Sequence, residues 1–180
     1  VGKLCNPDVA VSYYKNLMKT GMRLVSPGCK EEGALNNGWL EQFITKAKAQ
    51  DVRVDAIAVH WYDWGSNPEG TPNATAASIF GRFQSYITSV YSVHNLPIWI
   101  TEFNANPARS SATNAAFLAL ALPWLDSLSY VERYAWFPYD SATHYYGWDD
   151  ASNTQTNTTK TAIGTTYGNH DASPSISGNT

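Results

Sequence analysis

One carboxylate in this sequence closes an apolar segment. Glu102 comes near the end of residues 97–103, which read PIWITEF. A carboxylate is costly to bury unless it is hydrogen-bonded or used in chemistry. Glu102 is therefore the leading candidate for a catalytic carboxylate. Its position also allows a strand-terminal glutamate that faces solvent or pairs with an arginine.

Five other side chains stand at or just past the end of an apolar segment. Aromatic rings with a polar edge suit the apolar C–H faces of sugars, and a histidine or an asparagine could contact a carboxylate or hydroxyl groups. The same residues are also compatible with a packed core, a capping histidine or a turn. The candidates for substrate binding are His60, Trp61, Tyr62, Asn104 and Trp136.

The remaining acidic residues and the histidines give weaker signals. The four histidines lack metal-ligand spacing, and the sequence contains no Gly-x-Gly-x-x-Gly, phosphate-loop or Gly-x-Ser-x-Gly motif. We therefore predict no metal and no cofactor, and paired carboxylates remain the natural chemistry. Solvated carboxylates are predicted in loops at Asp63, Glu69, Asp140, Asp149 and Asp150.

The elements that position these residues alternate along the chain. Such alternation predicts an α/β fold with a parallel sheet, in which the C-terminal strand ends carry the chemistry. Beyond residue 141 the chain is rich in Gly, Ser, Thr and Asn, and we predict loops around a last helix. Strands are predicted at residues 23–26, 54–61, 97–102 and 131–137. Helices are predicted at residues 8–19, 39–50, 76–93, 111–128 and 159–168.

Composition narrows the class of protein. The 180 residues are 43% hydrophobic and 15% charged, with a net charge of −3, which argues against a nucleic-acid partner. No apolar run is long enough to span a bilayer, so we predict no membrane partner. Seven Trp and eleven Tyr are more aromatics than a core of this size needs. Cys5 and Cys29 allow one disulfide or two free thiols.

Several weak signals indicate an extracellular or cell-wall protein. Asn73 and Asn157 each begin an Asn-X-Thr triplet, the N-glycosylation pattern. The Ser/Thr/Asn-rich tail points the same way. The chain opens at Val1 without a signal-peptide pattern, so a secreted protein would be seen here in a mature or truncated form.

Five sequence motifs, in a fixed order over about residues 8–168, resemble those of a known family. Together they resemble the glycosyl hydrolases similar to the yeast alkali-sensitive linkage protein, which form glycoside hydrolase family 128. Several motifs in the expected order make this resemblance specific. The motifs are RLVSP (23–27), VDAIAVHWY (54–62), PIWITEF (97–103), LPWLD (122–126) and YVERYAWF (130–137).

The resemblance implies a TIM-type (β/α)8 barrel that cleaves β-1,3-glucan with retention of configuration. Glu102 matches the nucleophile at the end of the seventh strand, and the aromatic and histidine candidates, Asn104 apart, match rim positions that line the glucan site. The four predicted strands would be strands five to eight, the C-terminal half of the barrel. We expect a partial barrel over residues 1–170 and a Ser/Gly-rich tail over residues 171–180.

The family's general acid/base is a glutamate in an Asn-Glu-Pro motif at the end of the fourth strand. The nearest text here is CNPD (5–8), which lacks the glutamate. We therefore expect the acid/base and the first four strands upstream of Val1, with the missing barrel half supplied by that segment or by another chain. By itself this polypeptide should be inactive, or nearly so, on glucan. The alternatives are a non-catalytic glucan-binding protein and a related hydrolase of another β-glycan.

Overall fold

In the computed structural model, which describes residues 5–171, helices alternate with strands of a parallel sheet. The predicted tail therefore lies, except for Asp171, outside the described residues. The helices are α1 (Pro7–Leu17), α2 (Trp39–Lys48), α3 (Ala76–His94), α4 (Ser111–Asp126) and α5 (Ala162–Gly168). The strands are β1 (Cys29–Lys30), β2 (Ile57–Tyr62), β3 (Ile98–Asn104), β4 (Val131–Trp136), β5 (Tyr146–Asp149) and β6 (Thr154–Lys160).

Four strands form one sheet in the order β1-β2-β3-β4. β1 is parallel to β2, with Cys29 opposite Val59 and Lys30 opposite His60. One helix joins β2 to β3 and another joins β3 to β4, as parallel neighbours require. The alternating α/β fold predicted from the sequence is thus confirmed.

The first predicted strand, which ends at Ser26, forms only part of the ladder. Val25 makes an isolated parallel bridge to Ala56. Pro27 has no N–H and cannot continue the pairing. The Ser26 hydroxyl instead accepts a hydrogen bond from the Ala58 N–H at 2.9 Å, and regular pairing resumes at β1.

Helix α1 begins one residue before the predicted start at Asp8, and its N-cap is Asn6. The Asn6 side-chain oxygen accepts from the Asp8 N–H at 2.8 Å, and Pro7 occupies the first helical turn. A short 3₁₀ turn prolongs the helix to Gly21, whose φ of 72° ends it.

The contacts divide the chain into two compact units. The first contains the chain up to Trp61 together with Tyr86–Thr101 and Tyr130–Tyr134. The second contains Tyr62–Ser85, Glu102–Ser129 and the chain from Ala135 onward.

The core of the first unit is built where α1 meets α2. Phe43 is fully buried; Trp39 stacks on it at 5.5 Å and Tyr14 meets it edge-on at 4.9 Å. The Tyr14 hydroxyl donates to the Val25 carbonyl at 2.6 Å, so this buried ring satisfies its polar end.

The core of the second unit is an aromatic cluster. Phe103 of β3 stacks on Phe83 of α3 at 5.4 Å. Phe117 of α4 meets Phe83 edge-on at 5.5 Å, and Trp136 of β4 meets Phe103 edge-on at 5.4 Å. This cluster anchors the last residues of β3, directly beside Glu102.

The segment that we predicted as loops after residue 141 contains a β-hairpin, so that prediction is wrong for the hairpin strands. β5 and β6 pair antiparallel, with Tyr146 opposite Lys160 and Asp149 opposite Thr154. Every residue of β6 is exposed. The sequence therefore lacks the apolar alternation from which a strand is normally recognised.

The two cysteines are separate free thiols. Cys29 is buried, and burial raises the pKa of its thiol to about 11. A thiol with so high a pKa is a packing group rather than a nucleophile.

Candidate active site

A cavity of about 460 Å³ lies in the second unit, and half of its lining residues are aromatic. A volume of this order is typical of ligand sites. Flat aromatic walls with a few polar groups suit sugar rings. The lining residues are Tyr62, Trp64, Glu69, Asn106, Pro107, Ala108, Phe137 and Tyr139.

Glu102 is not itself a lining residue of this cavity, but it is hydrogen-bonded to one. The hydroxyl of Tyr62, a lining residue, donates a hydrogen bond to Glu102 Oε2 at 2.5 Å. β2 ends at Tyr62 and β3 passes through Glu102, so the neighbouring strand ends bring the two side chains together. Glu102 is half-buried. A carboxylate held in this way beside a ligand-sized cavity can act as a nucleophile or as an acid–base group.

Asn104 and Trp136 are buried around the same strand ends. Asn104 is fully buried; its amide donates to the Phe137 carbonyl at 2.9 Å and its oxygen accepts from the Asn106 N–H at 2.8 Å. Trp136 is 3% exposed and donates its indole N–H to the Thr143 carbonyl. Both side chains support the segments that line the cavity, and their direct contact with substrate stays a prediction.

His60 and Trp61 belong to the first unit. His60 is half-buried, and its carbonyl accepts from the Tyr86 hydroxyl at 3.3 Å. A Cβ added at Gly28 would stand 2.7 Å from the His60 ring nitrogen Nε2, so a glycine leaves the space for this ring. Trp61 is 5% exposed. Their predicted roles in substrate binding stay predictions.

The acidic residues placed in loops have unlike environments. Asp149 and Asp150 are exposed, as predicted. Asp63 is only 1% exposed and forms ion pairs with Arg82 and Arg109, so the prediction that it is solvated is wrong. A carboxylate that follows a strand can turn inward when cations from later elements reach it, which the local sequence does not reveal.

Two further loop carboxylates also depart from the simple solvated picture. Glu69 is exposed but lines the cavity. Asp140 is half-buried, and burial raises the pKa of its carboxyl, with a smaller contribution from the negative charge of Asp150.

Several cavity residues were not among the sequence candidates. Trp64 and Tyr139 are 63% and 64% exposed, so they are large aromatics available to a ligand. A signal for them exists in the sequence. Trp64 stands two residues after Tyr62, the end of β2, and Tyr139 three residues after Trp136, the end of β4, so both are aromatic residues just past a strand end.

Comparison with known proteins places the whole arrangement in context. A family model described as "Glycosyl hydrolase catalytic core" matches residues 3–167. The chain is 28% identical over 144 residues to Alkali-sensitive linkage protein 1 of Schizosaccharomyces pombe, and the match covers 76% of the chain and 24% of that protein. The predicted resemblance is therefore confirmed.

Solved structures show the same fold. A family 128 (subgroup I) endo-β-1,3-glucanase from Amycolatopsis mediterranei, solved with laminarihexaose as a Glu-to-Gln variant, is 34% identical, with a TM-score of 0.70 over 90% of this chain. A subgroup III curdlan-specific exo-β-1,3-glucanase from Blastomyces gilchristii is 24% identical, with a TM-score of 0.59 over 92% of the chain. At this level of identity the similarity supports the fold only. The prediction of a TIM-type α/β fold is confirmed.

The chain corresponds to part of each relative. It spans 64% of the Amycolatopsis enzyme and 63% of the Blastomyces enzyme. No helix in the described range, residues 5–171, is long and apolar enough to cross a membrane.

Proposed function

This chain belongs to the glycosyl hydrolase catalytic core family. We propose that it contains the catalytic nucleophile of a retaining glycoside hydrolase that acts on β-1,3-glucan. The observation that carries the proposal is the hydrogen bond from Tyr62, a wall of the aromatic cavity, to Glu102. The Amycolatopsis relative, an endo-β-1,3-glucanase solved with laminarihexaose, supports the choice of glucan.

In this proposal the Glu102 carboxylate attacks the anomeric carbon of a glucosyl unit held in the cavity. Tyr62 fixes one carboxylate oxygen and so orients the attacking group. Trp64, Phe137 and Tyr139 offer faces for the sugar rings. The bond to the leaving oxygen breaks as the glycosyl–Glu102 bond forms, and water later releases the sugar with its original configuration.

A second carboxylate completes such a mechanism. It protonates the leaving oxygen and then activates the water, and in retaining enzymes it stands about 5–5.5 Å from the nucleophile. The 180 residues contain no Asn-Glu-Pro sequence. We propose that this polypeptide by itself hydrolyses laminarin about 10²- to 10⁴-fold more slowly than a hydrolase that has both carboxylates. That factor is the rate enhancement that general acid–base catalysis usually contributes.

A fluoride substrate tests the nucleophile without that second group. In 2-deoxy-2-fluoro-β-laminaribiosyl fluoride the leaving group departs as fluoride and needs no proton, while the 2-fluorine slows release of the covalent sugar. We expect the intact chain to gain the mass of one fluorolaminaribiosyl group, located on the peptide that contains Glu102.

The controls are matched carboxylate-to-amide variants. Glu102→Gln should gain no sugar, whereas Glu69→Gln, which changes an exposed carboxylate of the same cavity, should label like the wild type. Labelling at another carboxylate would contradict the assignment.

A non-catalytic glucan-binding protein is the second candidate, favoured by the aromatic lining of the cavity. It predicts laminarihexaose binding in calorimetry without any covalent labelling. In either case we propose an extracellular or cell-wall location, because the substrate is there and the acceptor Asn73 is exposed. Enzymatic removal of N-linked glycans from the chain, isolated from its natural source, tests the location. A loss of mass would support it, and an unchanged mass would count against it.

A further inference from the structure

The cavity-lining residues 106–108 are followed directly by an arginine that solvent does not reach. The Arg109 side chain is 0% exposed, and its partner Asp63 is 1% exposed, with Nη2 of the arginine 2.6 Å from Oδ2 of the aspartate. A buried ion pair of this kind is retained at a large desolvation cost, and it is weak evidence for stability as such. Its other contacts indicate what it does.

Arg109 binds three points of one loop. We define the Trp64 loop as residues 63–71, which follow β2. Arg109 Nη2 donates to the Gly65 carbonyl at 2.5 Å, and Nη1 donates to both the carbonyl and the hydroxyl of Thr71, each at 2.5 Å. With Asp63, these contacts hold the first, the third and the last residue of the loop. The guanidinium reaches four acceptors of the loop through two nitrogens, whereas an ammonium group has only three N–H donors on one nitrogen.

The Trp64 loop and the segment that carries Arg109 both line the cavity. The loop contributes Trp64 and Glu69, and the residues just before Arg109 contribute Asn106, Pro107 and Ala108. The second segment is itself fixed, because the buried Asn114 amide donates to the carbonyls of Asn106 and Arg109. Arg109 therefore joins two walls of the cavity through one side chain.

We propose that Arg109 is a positioning residue, which holds Trp64 in place to stack against a glucan ring. The inference rests on the proposed function for its ligand. Trp64 is 63% exposed and so receives little support from the core. Its ring is presented in one place only if the loop beneath it is fixed, and fixing a loop before binding lowers the entropy lost on binding.

A double-mutant cycle tests this role. By calorimetry with laminarihexaose, Arg109→Lys should weaken binding about tenfold, because lysine keeps the charge near Asp63 and loses the bonds to Gly65 and Thr71. In a Trp64→Ala background the same change should weaken binding less than about twofold, since the group that Arg109 positions is already gone. Equal losses in both backgrounds, or unchanged binding in Arg109→Lys, would overturn the proposal.

Arg82 gives the matched control. It also pairs with Asp63, through two bonds of 2.7 and 2.8 Å. Its side chain packs against Gly65, but within the described residues it donates no hydrogen bond to Gly65 or Thr71. Arg82→Lys should change laminarihexaose affinity by less than about twofold. A loss as large as that of Arg109→Lys would show that the two-bond pairing of Asp63 matters rather than the hold on the loop.

Two measurements keep the proposal testable if binding or folding fails. Thr71→Val removes one Arg109 acceptor without removing a charge. It should give a smaller loss of laminarihexaose affinity, and that loss should again disappear in the Trp64→Ala background.

Hydrogen exchange of peptide 64–71 needs no ligand. Faster exchange in Arg109→Lys supports the hold on the loop, and unchanged exchange refutes it. Absence of laminarihexaose binding by the wild type would instead count against the proposed function.

Discussion

The two compact units each contain a carboxylate paired with arginine, yet the two centres differ in depth. In the second unit Asp63 and Arg109 are 1% and 0% exposed. In the first unit Glu132 pairs with Arg23 at 2.8 Å, with exposures of 17% and 59%.

The difference in depth is also a difference in what the arginines hold. Arg109 bonds to three residues of the Trp64 loop, whereas Arg23 joins Glu132 at a position open to water. The Glu132 carboxylate takes a second bond from the Trp99 indole N–H at 2.8 Å. An arginine–carboxylate ion pair therefore fixes a cavity wall in the second unit and makes a peripheral contact in the first.

The largest expected effect comes from removing one carboxylate from each centre. Asp63→Ala leaves Arg109 charged and buried without its partner, and it should lower the free energy of unfolding by about 3–5 kcal/mol. Glu132→Ala should cost at most about 1 kcal/mol, because water can reach Arg23. Urea unfolding of the two variants measures both. Equal losses of unfolding free energy in the two variants would contradict the difference between the two centres.

A smaller effect is expected from exposed aromatics in the two units. Trp64→Ala should weaken laminarihexaose binding about tenfold, or about 1.4 kcal/mol, with little change in melting temperature. Tyr13 of α1 is similarly exposed, at 66%, but lies outside the cavity. Tyr13→Ala should therefore leave binding unchanged. An equal loss in the two variants would remove the basis for assigning the sugar contact to the cavity.

The smallest effect concerns the pH dependence of the shallow centre. Burial tends to raise the pKa of Glu132, but the hydrogen bonds from Arg23 and Trp99 outweigh it, so the pKa lies below its ordinary value of 4.5. A lowered pKa in the folded state gives stability that is fully present above pH 4.5 and is lost as the pH falls through the folded pKa.

Glu132→Gln checks that sign. The difference in unfolding free energy between wild type and variant should be constant from pH 7 to about 5 and should shrink on further acidification. A difference that grows in acid would mean that the Glu132 pairing does not stabilise the ionised carboxylate.

Local pattern located much of this fold and part of its site. The strands β2, β3 and β4 were predicted to within a few residues, because each is a short apolar run with β-branched and aromatic residues. Tyr62 and Glu102 became candidates for the site because parallel strands place their C-terminal ends at one edge. The Thr-rich strand β6 was missed, since its exposed residues carry no apolar period.

By itself the sequence determined the alternation of strands and helices, the family and the candidacy of Glu102, since these depend on residues close together in the chain. Only the tertiary structure decided that Asp63 is buried, that Arg109 reaches Gly65 and Thr71 about forty residues away, and that Trp64 and Tyr139 line one cavity. Those facts depend on where loops from different strands meet. Loop conformation is set by such long-range contacts, which leave no periodic signal in the sequence.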